Sequence, residues 1–276
     1  FTLPIIINNF LLNLKRNINN KGEPRKICIG NIYVGGTAKT PLTIKIYQIL
    51  DKLNVKTATI KKNYKNQIDE QKILSIKTKL YSFNKRKKAL NEAIKDNVEV
   101  VIFDDGLQDH SINYDLKFVC FNNTKWIGNG FLIPAGPLRE KIESLSKYDA
   151  VFINGNNSDN TNLKLSIKRY NNDIHIFETC YKPTNINQFN INEKYIVFSG
   201  IGNPESFKEL LEKNKLNIVK EIIFPDHYQY EQNDIDKIKF QAQSLNAKIL
   251  TTEKDYVKIN PHKNNNINFL QIDLDI

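Results

Sequence analysis

The chain has 276 residues, 40% of them apolar, and a formal net charge of +10. This length supports one large domain or two modest ones with real cores, and the basic excess fits an anionic partner: nucleic acid, an acidic membrane face or a phosphorylated substrate. The three cysteines, Cys28, Cys120 and Cys180, lie far apart without a C-x-x-C pair, which argues against a cysteine-ligated zinc site and against a disulfide framework, and for a reducing compartment.

In chain order, an apolar segment comes first. Leu3, Ile7, Phe10, Leu11 and Leu14 can share one helical face, and Lys15, Arg16 and Lys21 follow. A membrane span needs about 20 apolar residues; this stretch is shorter and is interrupted by Asn8 and Asn9. No small-residue cleavage site follows it, which argues against a signal peptide. Residues 1–20 therefore read either as an amphipathic helix lying on a membrane surface or as a terminal helix docked on the chain's own core.

Strand and helix signals then alternate. Lys26 to Ile29 reads as a strand, Pro41 to Leu50 as a helix, Thr57 to Ile60 as a strand and Lys85 to Lys95 as a basic helix. Val98 to Phe103, Leu116 to Phe121 and Ala150 to Ile153 are unbroken apolar strands. Such runs, separated by helices, predict a parallel sheet covered on both faces. Residues 163–181 alternate, with Leu165, Ile167, Ile174 and Ile176, and predict antiparallel or edge strands. A second strand–helix series starts at Tyr195 to Phe198. It continues through Ser206 to Lys213, Ile222 to Phe224, Ile235 to Leu245, Ile249 to Thr251 and Phe269 to Ile272. The expected fold is α/β: a phosphate-loop NTPase-like parallel sheet core over 21–165, linker strands over 166–190, and a smaller α/β domain over 191–276 that closes over the site.

Three stretches carry chemistry. Gly30 to Pro41 reads GNIYVGGTAKTP. Gly35, Gly36, Thr37 and Ala38 are small residues between a strand and a helix, and Lys39 and Thr40 stand where that helix begins. This order suits a phosphate cradle with a Lys and a magnesium-binding hydroxyl. The strict G-x-x-x-x-G-K-[ST] pattern fails at Tyr33 and Ala38, and Ala38 is strained if the backbone there needs positive φ. An ordinary strand-to-helix turn remains the other reading. Asp104 and Asp105 end an apolar strand, where an open α/β sheet binds ligand and where Mg²⁺ is held beside a phosphate loop; the plainer reading is an Asp-Gly turn. Gly128 to Glu140 is a Pro- and Gly-rich loop that presents Arg139 and Glu140, either to phosphate or as a solvated ion pair.

In this order and spacing, the stretches GNIYVGGTAKTP, DDGLQ and LIPAGPLRE resemble the tetraacyldisaccharide 4′-kinase family of the lipid A pathway. Phe224 to Tyr228 (FPDHY) and Thr251 to Lys258 (TTEKDYVK) match two further blocks of that family. The resemblance implies transfer of the γ-phosphate of ATP, with Mg²⁺, to the 4′-hydroxyl of a tetraacylated glucosamine disaccharide 1-phosphate. It also implies work at the cytoplasmic face of the bacterial inner membrane, with no nucleic-acid partner. By the same resemblance, Gly35 to Thr40 and Arg139 bind the nucleotide. Thr40, Asp104, Asp105 and Glu140 form the metal site, with Asp69 and His227 as the catalytic pair, brought together from opposite domains by closure. Without the family, Asp69 reads as a helix-start carboxylate and His227 as a loop histidine.

The chain departs from the family at several points. Ala38 replaces a glycine, residues 61–65 keep only Tyr64 of an SRGYG-like stretch, and Asp69-Glu70 is all that remains of a GDEP-like motif. Asp109 is inserted before His110. Two other classes of function fit parts of the pattern: a nucleotide-dependent switch or chaperone, and a decayed, basic membrane or nucleic-acid binder.

Overall fold

The computed structural model describes residues 23–64, 67–155, 159–260 and 264–276. The expected helix within residues 1–20 lies outside them. The chain divides into two compact units, one drawn from 1–64, 74–180 and 274–276, the other from 65–73 and 181–273. The expected parallel α/β architecture is present in both.

In the first unit, β1 (Arg25–Gly30) leads through a loop into α1 (Lys39–Lys52), followed by β2 (Thr57–Lys62), α2 (Ile68–Lys77), whose residues up to Ile73 group with the second unit, β3 (Leu80–Phe83), α3 (Arg86–Lys95) and β4 (Val100–Asp104). Then come β5 (Leu116–Asn122), β6 (Ala150–Asn154), α4 (Thr161–Tyr170) and β7 (His175–Pro183). With β12 (Ile272–Asp275), these strands form an eight-stranded sheet in the order β12-β7-β6-β5-β1-β4-β2-β3. The ladders from β3 across to β7 are parallel. The central strands are dry because their residues are apolar on both faces: Ile27, Cys28, Ile29, Val101, Ile102 and Phe103 are all 0% exposed. Each such aliphatic or aromatic side chain contributes about 1.5–3 kcal/mol by leaving water. Helix α1 covers the sheet with Leu42, Ile46 and Leu50, spaced by four so that they share a face. Its Pro41 sits in the first turn, where a missing N–H costs nothing.

The sheet order positions the site. β1 lies between β4 and β5, and Ile29 pairs with Asp104. The loop after β1 and the aspartates after β4 thus leave the carboxyl ends of adjacent strands, where such sheets bind ligands.

The second unit holds β8 (Lys194–Ser199), α5 (Pro204–Lys213), β9 (Asn217–Ile223), α6 (Gln232–Ser244), β10 (Lys248–Thr252), α7 (Glu253–Tyr256) and β11 (Ile267–Leu270). Its sheet is parallel, in the order β11-β10-β8-β9. Side chains alternate along β8. Tyr195 and Val197 pack with Phe207, Leu210 and Leu211 of α5, whereas Ile196 and Phe198 pack with Ile235 and Ile238 of α6. Each helix therefore seals one face of the sheet.

One expectation is overturned. Residues 161–170 are helical, not extended, and β7 runs parallel to β6. The Leu165–Ile167 alternation spans too few residues to set a period; Leu163 and Ile167, four apart, are the pair that meets the core. Ile167 is 0% exposed and Leu165 is 58% exposed. Accordingly, Ile167→Ala is expected to lower the unfolding free energy by about 2–5 kcal/mol, and Leu165→Ala to change it by no more than about 0.5 kcal/mol. Urea denaturation of the two variants checks this, and equal losses would contradict the helical placement.

Candidate active site

The loop after β1 closes on itself before the helix begins. Asn31, fully buried, donates from Nδ2 to Thr37 Oγ1 at 3.0 Å and to the Gly35 carbonyl at 3.4 Å. Gly35 adopts φ +126°, a conformation open only to glycine at low cost. Ala38 is the N-cap of α1 at φ 67°, ψ 23°, so the condition for strain at that position is met. A left-handed alanine costs about 1–2 kcal/mol. It is held there because its carbonyl accepts the first helical hydrogen bond, from Leu42 N–H at 3.0 Å. Thr37 and Ala38 are buried, Gly36 is exposed, and the Lys39 side chain is mostly covered.

The two aspartates have separate roles. Asp104 is completely buried. Its Oδ2 accepts from Thr40 Oγ1 at 3.1 Å and lies 2.7 Å from Lys61 Nζ, while its Oδ1 accepts from Thr43 Oγ1 at 3.1 Å. Asp105 sits at φ 54° with its N–H bonded to the Ile29 carbonyl at 2.8 Å. Its Oδ1 meets Arg139 Nη1 at 3.0 Å and Lys39 Nζ at 3.8 Å. Gln108 Nε2 donates to Glu140 Oε1 at 2.7 Å and to the Asn31 carbonyl at 3.1 Å, while Tyr148 OH donates to Glu140 Oε2 at 2.9 Å. Arg139 N–H donates to the Ile32 carbonyl at 2.7 Å, tying the Pro-rich loop to the phosphate loop. Lys39, Asp105, Arg139 and Glu140 are thereby linked, through Gln108, in one network, beside the Thr40–Asp104 pair. A cleft of about 660 Å³ opens beside it, lined among others by Lys62, Tyr64, Arg86, Asp105 and Arg139.

The donor set suits Mg²⁺. Because Thr40 Oγ1 spends its proton on Asp104, its lone pairs remain available to a cation. Asp105 and Glu140 add hard carboxylate oxygens. Among the described residues no cluster of three His, Cys, Asp or Glu forms a ready cage. Mg²⁺ beside a nucleotide is commonly held by one or two carboxylates together with waters and substrate phosphates. Sequence reasoning missed Lys61, Thr43, Asn31 and Tyr148. Lys61 was discoverable, since a parallel pairing of β2 with β4 sets it opposite Asp104.

In the second unit, His227 Nδ1 lies 3.0 Å from both Asp69 oxygens. The sequence reading put Asp69 in the first domain; residues 65–73 group instead with 181–273, so the pair is made within one unit. His227 is at φ 60°, pinned by N–H bonds to the Gly200 carbonyl at 3.2 Å and Asp226 Oδ1 at 3.0 Å. Lys254 Nζ lies 3.6 Å from Asp69, 3.5 Å from Glu70 and 3.3 Å from Asp226. Burial works to raise the Asp69 carboxyl. The His227 hydrogen bond and the Lys254 and His227 charges outweigh it, and the net shift is downward. Burial works to lower Lys254, but Glu70, Asp226 and Asp69 outweigh it and raise its pKa. When the His227 ring is neutral, an ionised Asp69 holds its proton on Nδ1 and leaves Nε2 as an acceptor. Elsewhere, burial pushes the Cys28 and Cys120 thiols up, away from the thiolate form.

Residues 19–276 match the model of the tetraacyldisaccharide-1-P 4′-kinase family. The chain belongs to this family. A tetraacyldisaccharide 4′-kinase of Pelagibacter ubique is 52% identical over 252 residues, covering 91% of this chain and 80% of the relative. One from Rickettsia bellii is 36% identical, covering 84% of this chain and 76% of its own. The fold is shared with a crystal structure of LpxK from Aquifex aeolicus in complex with ATP. That structure has a TM-score of 0.65 and 20% identity, covering 99% of this chain and 93% of that one. As a member of the tetraacyldisaccharide-1-P 4′-kinase family, the chain is an ATP-dependent kinase of lipid A biosynthesis, and its substrate is a lipid A precursor.

Two outcomes follow from the geometry. Ala38→Gly removes about 1–2 kcal/mol of backbone strain and returns about 0.4–1 kcal/mol through the freer unfolded chain. Urea denaturation is expected to show a gain of up to about 1.6 kcal/mol, and a clear loss would mean that the buried methyl outweighs the strain. For Asp69, whose folded pKa is depressed, the stabilising contribution is fully present above the ordinary value of 3.8 and disappears as pH falls through the lower folded value. Stability measured by circular dichroism from pH 7 down to the acid limb should fall less steeply in Asp69→Asn than in the unmodified chain. Parallel curves would refute the coupling.

Proposed function

We propose that the loop of residues 35–40 and Arg139 hold the triphosphate of ATP, and that His227 takes the proton of the 4′-hydroxyl. The observation that carries this reading is the double 3.0 Å contact of Asp69 with His227 Nδ1, which leaves Nε2 to accept. The helix N-terminus at Lys39 and its preceding backbone suit phosphate oxygens, and the Lys39 ammonium suits the β- and γ-phosphates. Thr40, Asp105 and Glu140 would hold Mg²⁺, with Asp104 behind Thr40. Bound there, Mg²⁺ supplies charge neutralisation on the β- and γ-phosphates.

In the transfer, the 4′-oxygen bonds to the γ-phosphorus as its proton passes to His227 Nε2. The bond from the γ-phosphorus to the bridging oxygen breaks and ADP leaves. Asp69 stabilises the imidazolium that forms. Lys254 keeps Asp69 ionised for that task.

The substrate is taken as a tetraacylated glucosamine disaccharide 1-phosphate whose acyl chains stay in lipid, and the site of work as the cytoplasmic face of the inner membrane, with peripheral attachment. The net charge of +10 favours an anionic surface. Val34, Phe131, Leu132 and Ile133 offer exposed apolar side chains on loops of the first unit, and Leu132 and Ile133 also line its cleft. Among the described residues, no helix is long and apolar enough to cross a membrane.

The test is phosphorylation of the disaccharide 1-phosphate in detergent with Mg·ATP. Lys39→Ala is expected to abolish turnover, and His227→Ala to lower kcat by about 10²–10⁴-fold. Unchanged turnover in either variant removes that residue from its role, and RNA binding without ATP turnover would favour a decayed binder.

A further inference from the structure

The buried carboxylate at the end of β4 has a partner that a phosphate loop does not require. Lys61 stands in register with Asp104, its Nζ 2.7 Å from Oδ2, with the two side chains 1% and 0% exposed. The other oxygen of Asp104 accepts from Thr43, and Oδ2 also accepts from Thr40. Asp105 in turn faces Arg139 and Lys39. Both carboxylates of the strand end are therefore met by side-chain cations from other parts of the first unit. A site whose negative charge is already cancelled attracts a bare divalent ion weakly and a polyphosphate strongly.

We propose that Lys61 is a tethered counter-cation that takes the place of metal charge at Asp104. The nucleotide-free enzyme then keeps its loop in order without Mg²⁺ and acquires the ion only together with the phosphates. Lys61 is a positioning residue. It holds Asp104, which accepts the Thr40 proton and so keeps the lone pairs of Thr40 available. The inference rests on the reading of this loop as the Mg·ATP site.

Thermal unfolding without nucleotide, in EDTA and in millimolar MgCl₂, tests it on the full chain and on Lys61→Ser and Lys61→Arg. The unmodified chain and Lys61→Arg are expected to melt at the same temperature in both buffers. Lys61→Ser should melt lower in EDTA and regain about 3 °C or more with Mg²⁺, as the ion binds beside the uncovered carboxylate. A lysine serving only to fill space would lower both melting points alike, and that result overturns the proposal.

If Lys61→Ser does not fold, the unmodified chain carries the test. The free Mn²⁺ signal in electron paramagnetic resonance is followed as protein is added, first without and then with ATP. After subtraction of the Mn²⁺ that the same ATP takes up without protein, binding by the protein at least tenfold tighter with ATP than without supports the proposal; equally tight binding by the nucleotide-free chain refutes it. ATP binding measured in the same samples reports separately on the nucleotide reading of the loop.

Discussion

The first unit depends on one buried carboxylate. Asp104 gathers Thr40 and Thr43 from α1 and Lys61 from β2 onto the end of β4, and so fixes three elements at one point. A buried charge is tolerated only when paired and hydrogen-bonded; here every bond that satisfies it also orients part of the site. The start of α1 is held by two of its own hydroxyls, and the backbone amides of its first turn inherit that placement. The left-handed turn at Ala38 persists because the helix beyond it cannot move.

The second unit repeats this device with different residues. Asp255, fully buried, accepts from Tyr230 OH at 2.9 Å and from Thr252 Oγ1 at 2.6 Å, and pairs with Lys258 at 2.7 Å. This anchors the turn from β10 into α7, and with it Lys254 beside Asp69 and Glu70. Asp105 and His227 both occupy positive φ without being glycine. In each case backbone hydrogen bonds to a neighbouring strand end hold a conformation that the residue alone would avoid. Both side chains are thus placed by strand ends, and the strain is confined to single residues.

Much of this was legible in the residues. Unbroken runs such as Val100 to Phe103 announce a doubly covered parallel strand, and a small-residue loop ahead of Lys39-Thr40 announces the turn from strand into helix. Neither signal needs tertiary information. What escaped were features whose cause lies elsewhere in the chain. β3 is four half-buried residues with no pattern of its own. The segment from Leu163 to Tyr170 carries both a strand-like and a helix-like spacing, and only packing of Ile167 chooses between them. Lys61 looked like a lost motif because a lysine in a strand signals nothing until its partner strand is known. Asp69 was read with the domain that precedes it in sequence, whereas its partners His227 and Lys254 lie more than 150 positions further on.

The grouping of residues 65–73 with 181–273 has a genetic consequence. No single cut in the coding sequence separates the two lobes. A fragment beginning after Cys180 would carry the histidine but leave its carboxylate behind on the other piece. Exchange of lobes between relatives by one crossover would pair an imidazole from one parent with an aspartate from another.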